Sequence, residues 1–386
     1  MKILLPHTRE LCYYSGSFFL QKIADELESR GIEAVFMELS DDFCDLNRLE
    51  DALDGSFDAI IDVNSKMPYM LLDDDTRLVD AFGIPFFNYV VDHPLYHHPG
   101  LFFELKNYHM IGIDQNHCAF AKNNYTHLKG SHYLPIAGTK ANQHIDFSMR
   151  KIPVLVPVTY EEEHDIMYTL RDMGPDFYKL GLFMIDLLEN DLPIEDCLKK
   201  ALSYFNKTPS DYSCRDFAEL LNHCYPVDKY VRFSRRYKVV EALGKADVPA
   251  TIMGDGWLTT DLEKYPSLNF IPSKSISVSF EVMANSKILL DINPLFAKGL
   301  HDRVSSAFAN SCICFSDMNL LADEKLANNH NIISYNTHDL DSLCDALKMN
   351  IEKPASPIAD AGYELYQNNY TWKNWVDKFL TILYES

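Results

Sequence analysis

Positive charge is scarce in this chain. Its 35 lysine and arginine residues stand against 56 aspartate and glutamate residues, so the formal net charge is −21. Such an acidic protein repels nucleic-acid phosphates and anionic lipid surfaces unless a local basic patch intervenes. The dense basic cluster is Arg232, Arg235, Arg236 and Lys238, whose spacing suits either a solvated helix face or a phosphate contact. Nucleic acid is therefore not an expected partner.

Long apolar runs are also missing. No stretch approaches the roughly 18 apolar residues that a membrane-spanning helix needs. The N-terminal segment MKILLP is too short for the core of a signal peptide and is interrupted by proline. We therefore expect a cytoplasmic protein without an integral membrane segment.

Cysteines with paired spacing are absent as well. The nine cysteines, which include Cys12 and Cys44, are scattered, and the closest pair, Cys312 and Cys314, lies in an apolar, strand-like run. An odd, dispersed count in a chain without an export signal favours reduced thiols that are mostly buried.

Apolar residues are plentiful, at 47% of 386 residues, which predicts a sizeable core and more than one domain. Strand-like and helical segments alternate from Lys2 to Pro135, with a helix predicted near Leu46–Leu53. The predicted strands are Lys2–Leu5, Ile32–Met37, Ala59–Val63, Pro85–Val91, Met110–Asp114 and Ser131–Pro135. This alternation predicts a parallel, doubly wound α/β sheet.

A polar stretch, Thr139–Arg150, breaks the alternation. We place a domain boundary there, with a first domain over residues 1–150 and a second over 151–360. Residues from about 161 to 225 have helical periodicity with proline breaks, which predicts a helical insertion in the second domain. Strands then resume at Ala250–Met253 and Leu268–Ile271. Residues 361–386 form closing amphipathic helices.

The most informative segment begins with the apolar run at Ile288. It reads as a buried strand, a polar loop and a helix start. Loops after such strands, followed by the free N–H groups of a helix N-terminus, are common seats for a diphosphate. The candidate residues are Asn293, Lys298, Gly299, His301, Asp302 and Arg303. Arg303 and His301 could neutralise a diphosphate, or they could serve as a helix cap and an ion pair.

Two further segments carry candidate site residues. Gly254, Asp255 and Gly256 follow an apolar strand, where they either form an ordinary turn or let the backbone approach a ligand; we expect Trp257 beside them to pack in the core. Asp92 and His93 follow the strand Pro85–Val91. Either could act as a general base if the reaction inverts configuration, or position the acceptor if it retains configuration, and Asp92 could instead cap a helix.

Histidines 93, 97 and 98 could suggest a metal site, since positions i and i+4 share a helix face. No carboxylate lies at an obvious ligand spacing, so we expect no metal.

From Tyr230 to Glu385 the sequence resembles the group 1 glycosyltransferases, specifically the spore-maturation-protein (CgeB-like) branch. The matching pieces are Arg235-Arg236, Met253–Trp257, Asn285–Ile288, Asp291–Pro294, Gly299–Val304, Ala307–Asn310, Ser316-Asp317, Tyr370–Trp372 and Trp375. Asn88–Pro94 resembles the acceptor-side domain of this branch more loosely. The resemblance implies the GT-B fold: two facing Rossmann-like domains, with a C-terminal helix that packs back on the first.

The resemblance also implies a function. It implies a hexosyltransferase-type enzyme that takes a sugar from a nucleotide diphosphate donor, with UDP-sugar expected, held by the second domain. Arg235 and Arg236 become possible phosphate contacts, and no cofactor or metal is expected. Many group 1 enzymes have glutamate, which contacts the ribose hydroxyls, where this chain has Ser306, and glycine where it has Ser311. The donor-binding set therefore includes Ser306 as a departure from the pattern.

The expected acceptor is a hydroxyl of a glycan or lipid-linked molecule, or a protein side chain, in surface-glycan or glycoconjugate assembly. Two alternatives remain at this point. A nucleotide-sugar epimerase of the same fold would turn over donor without acceptor. A non-catalytic nucleotide-sugar-binding protein would bind donor without turnover.

Overall fold

Two parallel sheets of six strands each organise the part of the chain described by the computed structural model, which covers residues 1–7, 15–39, 53, 55–319, 323–353 and 355–386. The predicted helix near Leu46–Leu53 lies outside these residues except for Leu53. The first sheet has the order β2-β1-β3-β4-β5-β6. Its strands are β1 Lys2–His7, β2 Glu33–Glu38, β3 Ala59–Val63, β4 Phe86–Val90, β5 Tyr108–Gly112 and β6 Gly130–Tyr133.

Strands β3, β4 and β5 are buried at every residue. Mostly apolar segments form such strands because helices cover both faces of a parallel sheet. The helices connecting the strands are α1 Ser15–Glu28, α2 Leu78–Phe82, α3 His98–Leu101 and α4 Gln115–Asn124. The predicted parallel, doubly wound sheet is therefore confirmed.

The second sheet has the order β12-β11-β10-β7-β8-β9. Its strands are β7 Ile152–Val156, β8 Ala250–Met253, β9 Leu268–Ile271, β10 Ser286–Asp291, β11 Ile313–Ser316 and β12 Ile333–Ser334. Strands β7 and β10 are neighbours, and from this pair the chain order runs outward in opposite directions. Such a switch point is where open α/β sheets hold ligands, outside the carboxyl ends of the strands.

The predicted helical insertion between β7 and β8 is present. It consists of α5 Glu163–Asp172, α6 Pro175–Glu189, α7 Ile194–Tyr204 and α8 Cys214–His223, and it leads into α9 Tyr225–Lys245. The remaining helices are α10 Ile276–Ala284, α11 Asp302–Ala309, α12 Leu340–Ile351, α13 Pro357–Asn369 and α14 Trp372–Glu385. No helix within the described ranges is both long and apolar enough to cross a membrane.

The chain divides into two units. The first comprises Met1–Ile136, Tyr212–Asn222 and Trp372–Ser386, and the second comprises Ala137–Asp211 and His223–Thr371. The predicted return of the C-terminal helix to the first domain is confirmed by α14. Its Trp375 donates a hydrogen bond from Nε1 to the Tyr89 hydroxyl at 3.1 Å, and its Asp377 pairs with Arg30 at 2.8 Å.

The unit boundaries differ from the expected ones in three places. One is Tyr212–Asn222, near the end of the helical insertion, which belongs to the first unit rather than the second. The first unit ends at Ile136 rather than at residue 150, because residues 137–150 are fastened to the second unit. The Thr139 amide donates to Ser306 Oγ at 3.3 Å, and Arg150 donates to the carbonyls of Ser286 and Asn310, both at 2.9 Å. Helix α13 also stays with the second unit, so the returning segment begins at Trp372 rather than at residue 361.

Seven cysteines fall within the described residues; all have free thiols, and all but Cys214 are buried. This agrees with the expectation of reduced, mostly buried cysteines. Cys12 and Cys44 lie outside the described residues.

The end of α11 explains the serine at position 311. Ser311 has a φ of +52°, and its amide donates to the Phe308 carbonyl while the Cys312 amide donates to the Ala307 carbonyl. These two hydrogen bonds define a Schellman motif, whose left-handed position favours glycine because a Cβ atom is strained there.

We predict that Ser311→Gly raises the free energy of unfolding by about 1 kcal/mol, because it relieves this strain. Chemical denaturation of the variant and the wild type measures the difference. Ser311→Ala is the control, since it keeps the Cβ atom and should give no gain. An equal gain in both variants would contradict the backbone explanation.

Candidate functional site

Two loops meet at the switch point of the second sheet. One follows β7, beginning at Pro157, and the other follows β10 and ends where α11 begins at Asp302. Because β7 and β10 are adjacent and parallel, both loops leave the same edge of the sheet. This topology brings Arg303, near the start of α11, to the backbone of the β7 loop.

Arg303 spans the two loops. Its Nη1 atom donates to the Pro157 carbonyl at 3.3 Å and lies 3.5 Å from Asp291 Oδ1, while its side chain is 12% exposed. Its Nε atom lies 3.0 Å from His301 Nδ1. The guanidinium is therefore held at the switch point by backbone, carboxylate and imidazole together.

Asp291, at the end of β10, supplies the negative charge for this arrangement. The residue is 0% exposed, and Ser316 on the neighbouring strand β11 donates to its Oδ2 atom at 2.8 Å. A buried carboxylate is tolerated only when it is paired. Here Arg303 is the cation at its other oxygen.

A second arginine binds the same loop. Arg236 on α9 donates from Nη1 to the Thr159 carbonyl at 3.0 Å. Burial, together with the charges of Arg303 and Arg232, lowers the pKa of Arg236 to about 9, although Asp291 and Asp228 act in the opposite direction. Positive charges that lower the pKa of a neighbouring arginine in this way favour binding of an anion, which would relieve their repulsion.

Arg235, which was also a candidate phosphate contact, has a different environment. Its Nη2 atom donates to the carbonyls of Leu188 and Glu189, both at 3.0 Å, and to Asp191 Oδ1 at 2.6 Å. These groups lie at and just after the C-terminus of α6, where carbonyls lack helical partners. Stabilising this helix end accounts for the burial of Arg235, so we do not include it in the anion site.

His301 and Asp302 form the start of α11. His301 is the N-cap residue, and its Nδ1 atom lies 3.2 Å from the Arg303 amide nitrogen. The same atom lies 2.8 Å from Asp302 Oδ1. Burial disfavours the charged form of Asp302, but the charge and hydrogen bond of His301, with Arg303, outweigh it and lower the pKa of Asp302. The cap and the cationic site are thus built from the same residues.

The other loop residues have structural contacts of their own. The Asn293 side chain closes a turn, since it donates to the Phe296 carbonyl and accepts from the Phe296 amide, both at 2.9 Å. The Asn293 amide donates to Asp317 Oδ1 at 2.7 Å. Lys298 is exposed and Gly299 is buried. Asn293 therefore shapes the loop in which Lys298 lies.

The glycines after β8 are required by the protein's own backbone. A Cβ atom on Gly254 would lie 2.0 Å from the Val158 carbonyl oxygen, and one on Gly256, whose φ is +88°, would lie 1.9 Å from that of Tyr160. Asp255 joins the same packing, because its carbonyl accepts from the Tyr160 amide at 2.9 Å. The close backbone approach seen here is to the β7 loop of the protein itself; the approach of a ligand to these glycines stays a prediction.

Trp257 packs in the core, as expected. It is 1% exposed, donates from Nε1 to the Val158 carbonyl at 2.8 Å, and stacks on Tyr160 with 4.9 Å between ring centroids.

In the first unit, polar residues follow three adjacent strands at the carboxyl edge of the sheet. Asn64 follows β3, Asp92 and His93 follow β4, and Asp114 precedes α4 after β5. His93 is 5% exposed; its Nδ1 atom accepts from the Leu95 amide at 3.0 Å. The Asp92 side chain is 40% exposed. Of these two candidates, Asp92 is the one that a substrate can reach.

Asn64 escaped the sequence-based search. Its Oδ1 atom accepts from the Val91 amide at 3.0 Å, and its Nδ2 atom donates to Asp92 Oδ2 at 3.5 Å. Its φ is +48°, a conformation that asparagine tolerates better than most residues. The available signal was its position directly after the buried strand Ala59–Val63, which is equivalent to that of the recognised candidates.

Comparison with known proteins gives a family match in the second half of the chain and similar solved structures over its whole length. Residues 235–381 match the glycosyl transferase-like family, while no curated protein matches the sequence. Two similar solved structures are Anabaena Alr3699/HepE in complex with UDP-glucose, at 10% identity, TM-score 0.54 and 100% of both chains, and Thermosynechococcus elongatus sucrose-phosphate synthase, at 9% identity, TM-score 0.55, 100% of this chain and 98% of that one. An α-glucosyltransferase in complex with UDP has 10% identity and TM-score 0.57 over 99% of both chains.

The chain has the GT-B fold. The glycosyl transferase-like match begins at Arg235 and ends in α14, which agrees with the resemblance over Tyr230–Glu385. At the low identity of the solved structures, the similarity establishes fold rather than substrate.

Ser306 is buried on α11 in the second unit, where it contacts the backbone at Thr139. It is 2% exposed, and its hydroxyl accepts from the Thr139 amide. Asn310, one turn further along, donates to the Thr139 carbonyl at 2.8 Å. The short side chain thus lets residues 139–141 lie against α11. This contact explains serine at this position without a ribose.

The histidines that follow β4 contact different partners. His98 Nδ1 lies 3.0 Å from the Tyr125 hydroxyl, and the rings of His93 and His117 meet edge to face at 4.5 Å. In the described parts of the chain, no group of three or more His, Cys, Asp or Glu side chains is placed to hold a metal ion.

A buried carboxyl group lies beneath the Asn64 loop. Asp62 in β3 is 5% exposed and accepts from the Ser65 hydroxyl at 2.6 Å. Burial raises the pKa of Asp62 to about 7, although the hydrogen bonds from Ser65 and the Val63 backbone act against the shift. The folded protein therefore holds this proton over a pH range in which the unfolded chain releases it.

We predict that the stability of the wild type falls relative to that of Asp62→Asn as pH rises from about 4 to about 7. The sign follows from the raised folded-state pKa, and the relative slope is at most about 1.4 kcal/mol per pH unit. Urea denaturation of both proteins across this range measures it. Asp146→Asn, whose carboxyl is 79% exposed, is the control, and parallel curves for the wild type and Asp62→Asn would contradict the prediction.

Proposed function

We propose that this protein is a glycosyltransferase of the hexosyltransferase type, which moves a sugar from a nucleotide diphosphate sugar to an acceptor hydroxyl or a protein side chain. The observation that carries the proposal is that Arg303 on α11 and Arg236 on α9 both donate to carbonyls of the β7 loop, at the switch point of a GT-B sheet. Two guanidiniums with fixed positions suit the two phosphates of such a donor.

UDP-sugar is the proposed donor. UDP or UDP-glucose is bound in two of the similar structures, and the glycosyl transferase-like match covers Arg236 and Arg303. Within the family we propose the CgeB-like branch, on the motifs around Asp291–Pro294 and Gly299–Val304. No cofactor beyond the donor is proposed.

The proposed acceptor is a glycan, a lipid-linked molecule or a protein in surface-glycan or glycoconjugate assembly, in the cytoplasm. One similar α-glucosyltransferase was solved with DNA. A net charge of −21 argues against a DNA acceptor here, because the phosphate backbone would be repelled.

The proposed chemistry accounts for the acceptor proton and for the negative charge on the leaving nucleotide. The acceptor oxygen attacks the anomeric carbon of the sugar, and its proton passes to the Asp92 carboxylate. The bond between the anomeric carbon and the diphosphate oxygen breaks, and its electron pair leaves with the nucleotide. Arg303 and Arg236 stabilise the negative charge that develops on that leaving group.

We predict that Arg303→Ala weakens UDP binding by about 10- to 100-fold, since a charge-assisted contact contributes about 1.5–3 kcal/mol. Isothermal titration with UDP, UMP and uridine measures the loss, which should be larger for UDP than for uridine. Arg171→Ala is the matched control, because Arg171 lies against Tyr178 on the helical insertion. Wild-type UDP affinity in folded Arg303→Ala would remove Arg303 from the site.

We predict that Asp92→Asn lowers turnover by about 100-fold or more while UDP affinity stays unchanged, because the amide cannot accept the acceptor proton. Release of free sugar from UDP-sugars, with water as the acceptor, provides the assay. Unchanged turnover would exclude Asp92 as the base. Product formed from the donor sugar without transfer or hydrolysis would favour the epimerase alternative, and binding without turnover would favour a binding protein.

A further inference from the structure

His97 lies beside Asp92 in a position that the sequence did not assign to catalysis. The chain turns back after His93 through the short helical turn Pro94–His97, so that His97 Nε2 comes within 3.8 Å of Asp92 Oδ2. The His97 side chain is 21% exposed, against 40% for Asp92. The imidazole is therefore less accessible to solvent than the carboxylate.

The turn that carries His97 is held from two sides. His93 Nδ1 accepts from the Leu95 amide at 3.0 Å, and Asn222 on α8 donates to the Leu95 carbonyl at 2.6 Å. Both contacts lie within the first unit. These two hydrogen bonds hold the turn, and the turn sets the distance between His97 and Asp92.

The Asp92 carboxylate is approached on one oxygen by two groups. Asn64 Nδ2 lies 3.5 Å from Asp92 Oδ2, and the amide cannot be reversed because Asn64 Oδ1 accepts the Val91 amide at 3.0 Å. His97 Nε2 faces the same oxygen. Both groups therefore constrain the orientation of the carboxylate through Oδ2.

His97 Nε2 is itself buried and makes no hydrogen bond within the described structure. A buried polar atom without such a bond costs about 1–3 kcal/mol, so its presence calls for an explanation. Hydrogen bonds between catalytic groups are often long in ligand-free structures and tighten when substrate binds. A small rotation of His97 toward Asp92 would satisfy this nitrogen.

We propose that His97 is a positioning residue, which donates its Nε2 proton to Asp92 Oδ2 and thereby orients the carboxylate toward the acceptor hydroxyl. The inference rests on the proposed function. It also gives the helical insertion a part in the reaction, since Asn222 on α8 supports the turn that bears His97. His93, which the sequence placed beside Asp92 as a candidate base, instead holds this turn.

The kinetic test compares His97→Ala and His97→Gln with the wild type, using hydrolysis of UDP-glucose, UDP-galactose and UDP-N-acetylglucosamine. We expect the hydrolysis rate of His97→Ala to fall at least 10-fold with unchanged UDP affinity and melting temperature. His97→Gln should recover part of the loss, because its side-chain amide can donate to the same oxygen. His144→Ala is the matched control, since His144 lies 3.4 Å from Asp146 in an exposed pair of the second unit.

A wild-type rate in His97→Ala would overturn the inference and leave the proposed function intact. A loss of UDP affinity or of folding in both His97 variants would likewise overturn it, because the role would then be structural. Wild-type protein that neither binds UDP nor hydrolyses any of these donors would overturn the proposed function and this inference with it.

A spectroscopic measurement tests the contact without turnover. The ¹⁵N resonances of the His97 ring, assigned by their loss in His97→Gln and recorded at pH 8.5, report which nitrogen carries the proton. We expect the Nε2–H tautomer in the wild type and a shift toward Nδ1–H in Asp92→Ala. The same tautomer ratio in both proteins would overturn the inference.

Discussion

The second unit depends on one buried charge. Asp291 ends the central strand β10 with no exposed surface, and a carboxylate in that position must be compensated by a cation and by hydrogen-bond donors. Ser316 supplies the donor from the adjacent strand, and Arg303 supplies the cation from the start of α11. The need to compensate one carboxylate therefore fixes the helix start, the β7 loop and the guanidinium in relation to one another.

This constraint makes the proposed anion site part of the fold. Arg303 and Arg236 both donate to backbone carbonyls of the same loop, and the glycines at positions 254 and 256 let that loop lie against the end of β8. The side chains that would meet a phosphate are thus already in place before any ligand binds. Preorganisation of this kind reduces the entropy lost when a ligand is bound.

The sequence was informative where a residue type has a single physical explanation. Strongly apolar runs such as Ala59–Val63, in which Asp62 is the one polar residue, predict buried parallel strands, because a parallel sheet is covered on both faces. The polar loop after β10 could likewise be identified as a candidate site, since the carboxyl ends of such strands are where ligands bind. The fold class and the position of both candidate sites followed from these patterns.

Individual side-chain roles could not be predicted in the same way. Arg235 and Arg236 are adjacent, but neighbouring helical positions point about 100° apart, so one reaches the end of α6 and the other the β7 loop. Which of the two arginines reaches the β7 loop depends on the rotation of α9 about its own axis, and residue spacing does not determine that rotation. The contact between His97 and Asp92 depends similarly on how far the Pro94–His97 turn bends back, which residue spacing does not determine.

Helix α11 joins two regions with different tasks. Its first turn carries Arg303, while Ser306 and Asn310 near its other end bind the backbone of residues 139–141. An eight-residue helix is about 12 Å long and behaves as a stiff rod. A displacement of residues 139–141 would therefore move the whole of α11 and, with it, the guanidinium of Arg303. We expect substitutions in that segment to change the affinity for an anion without contacting the anion.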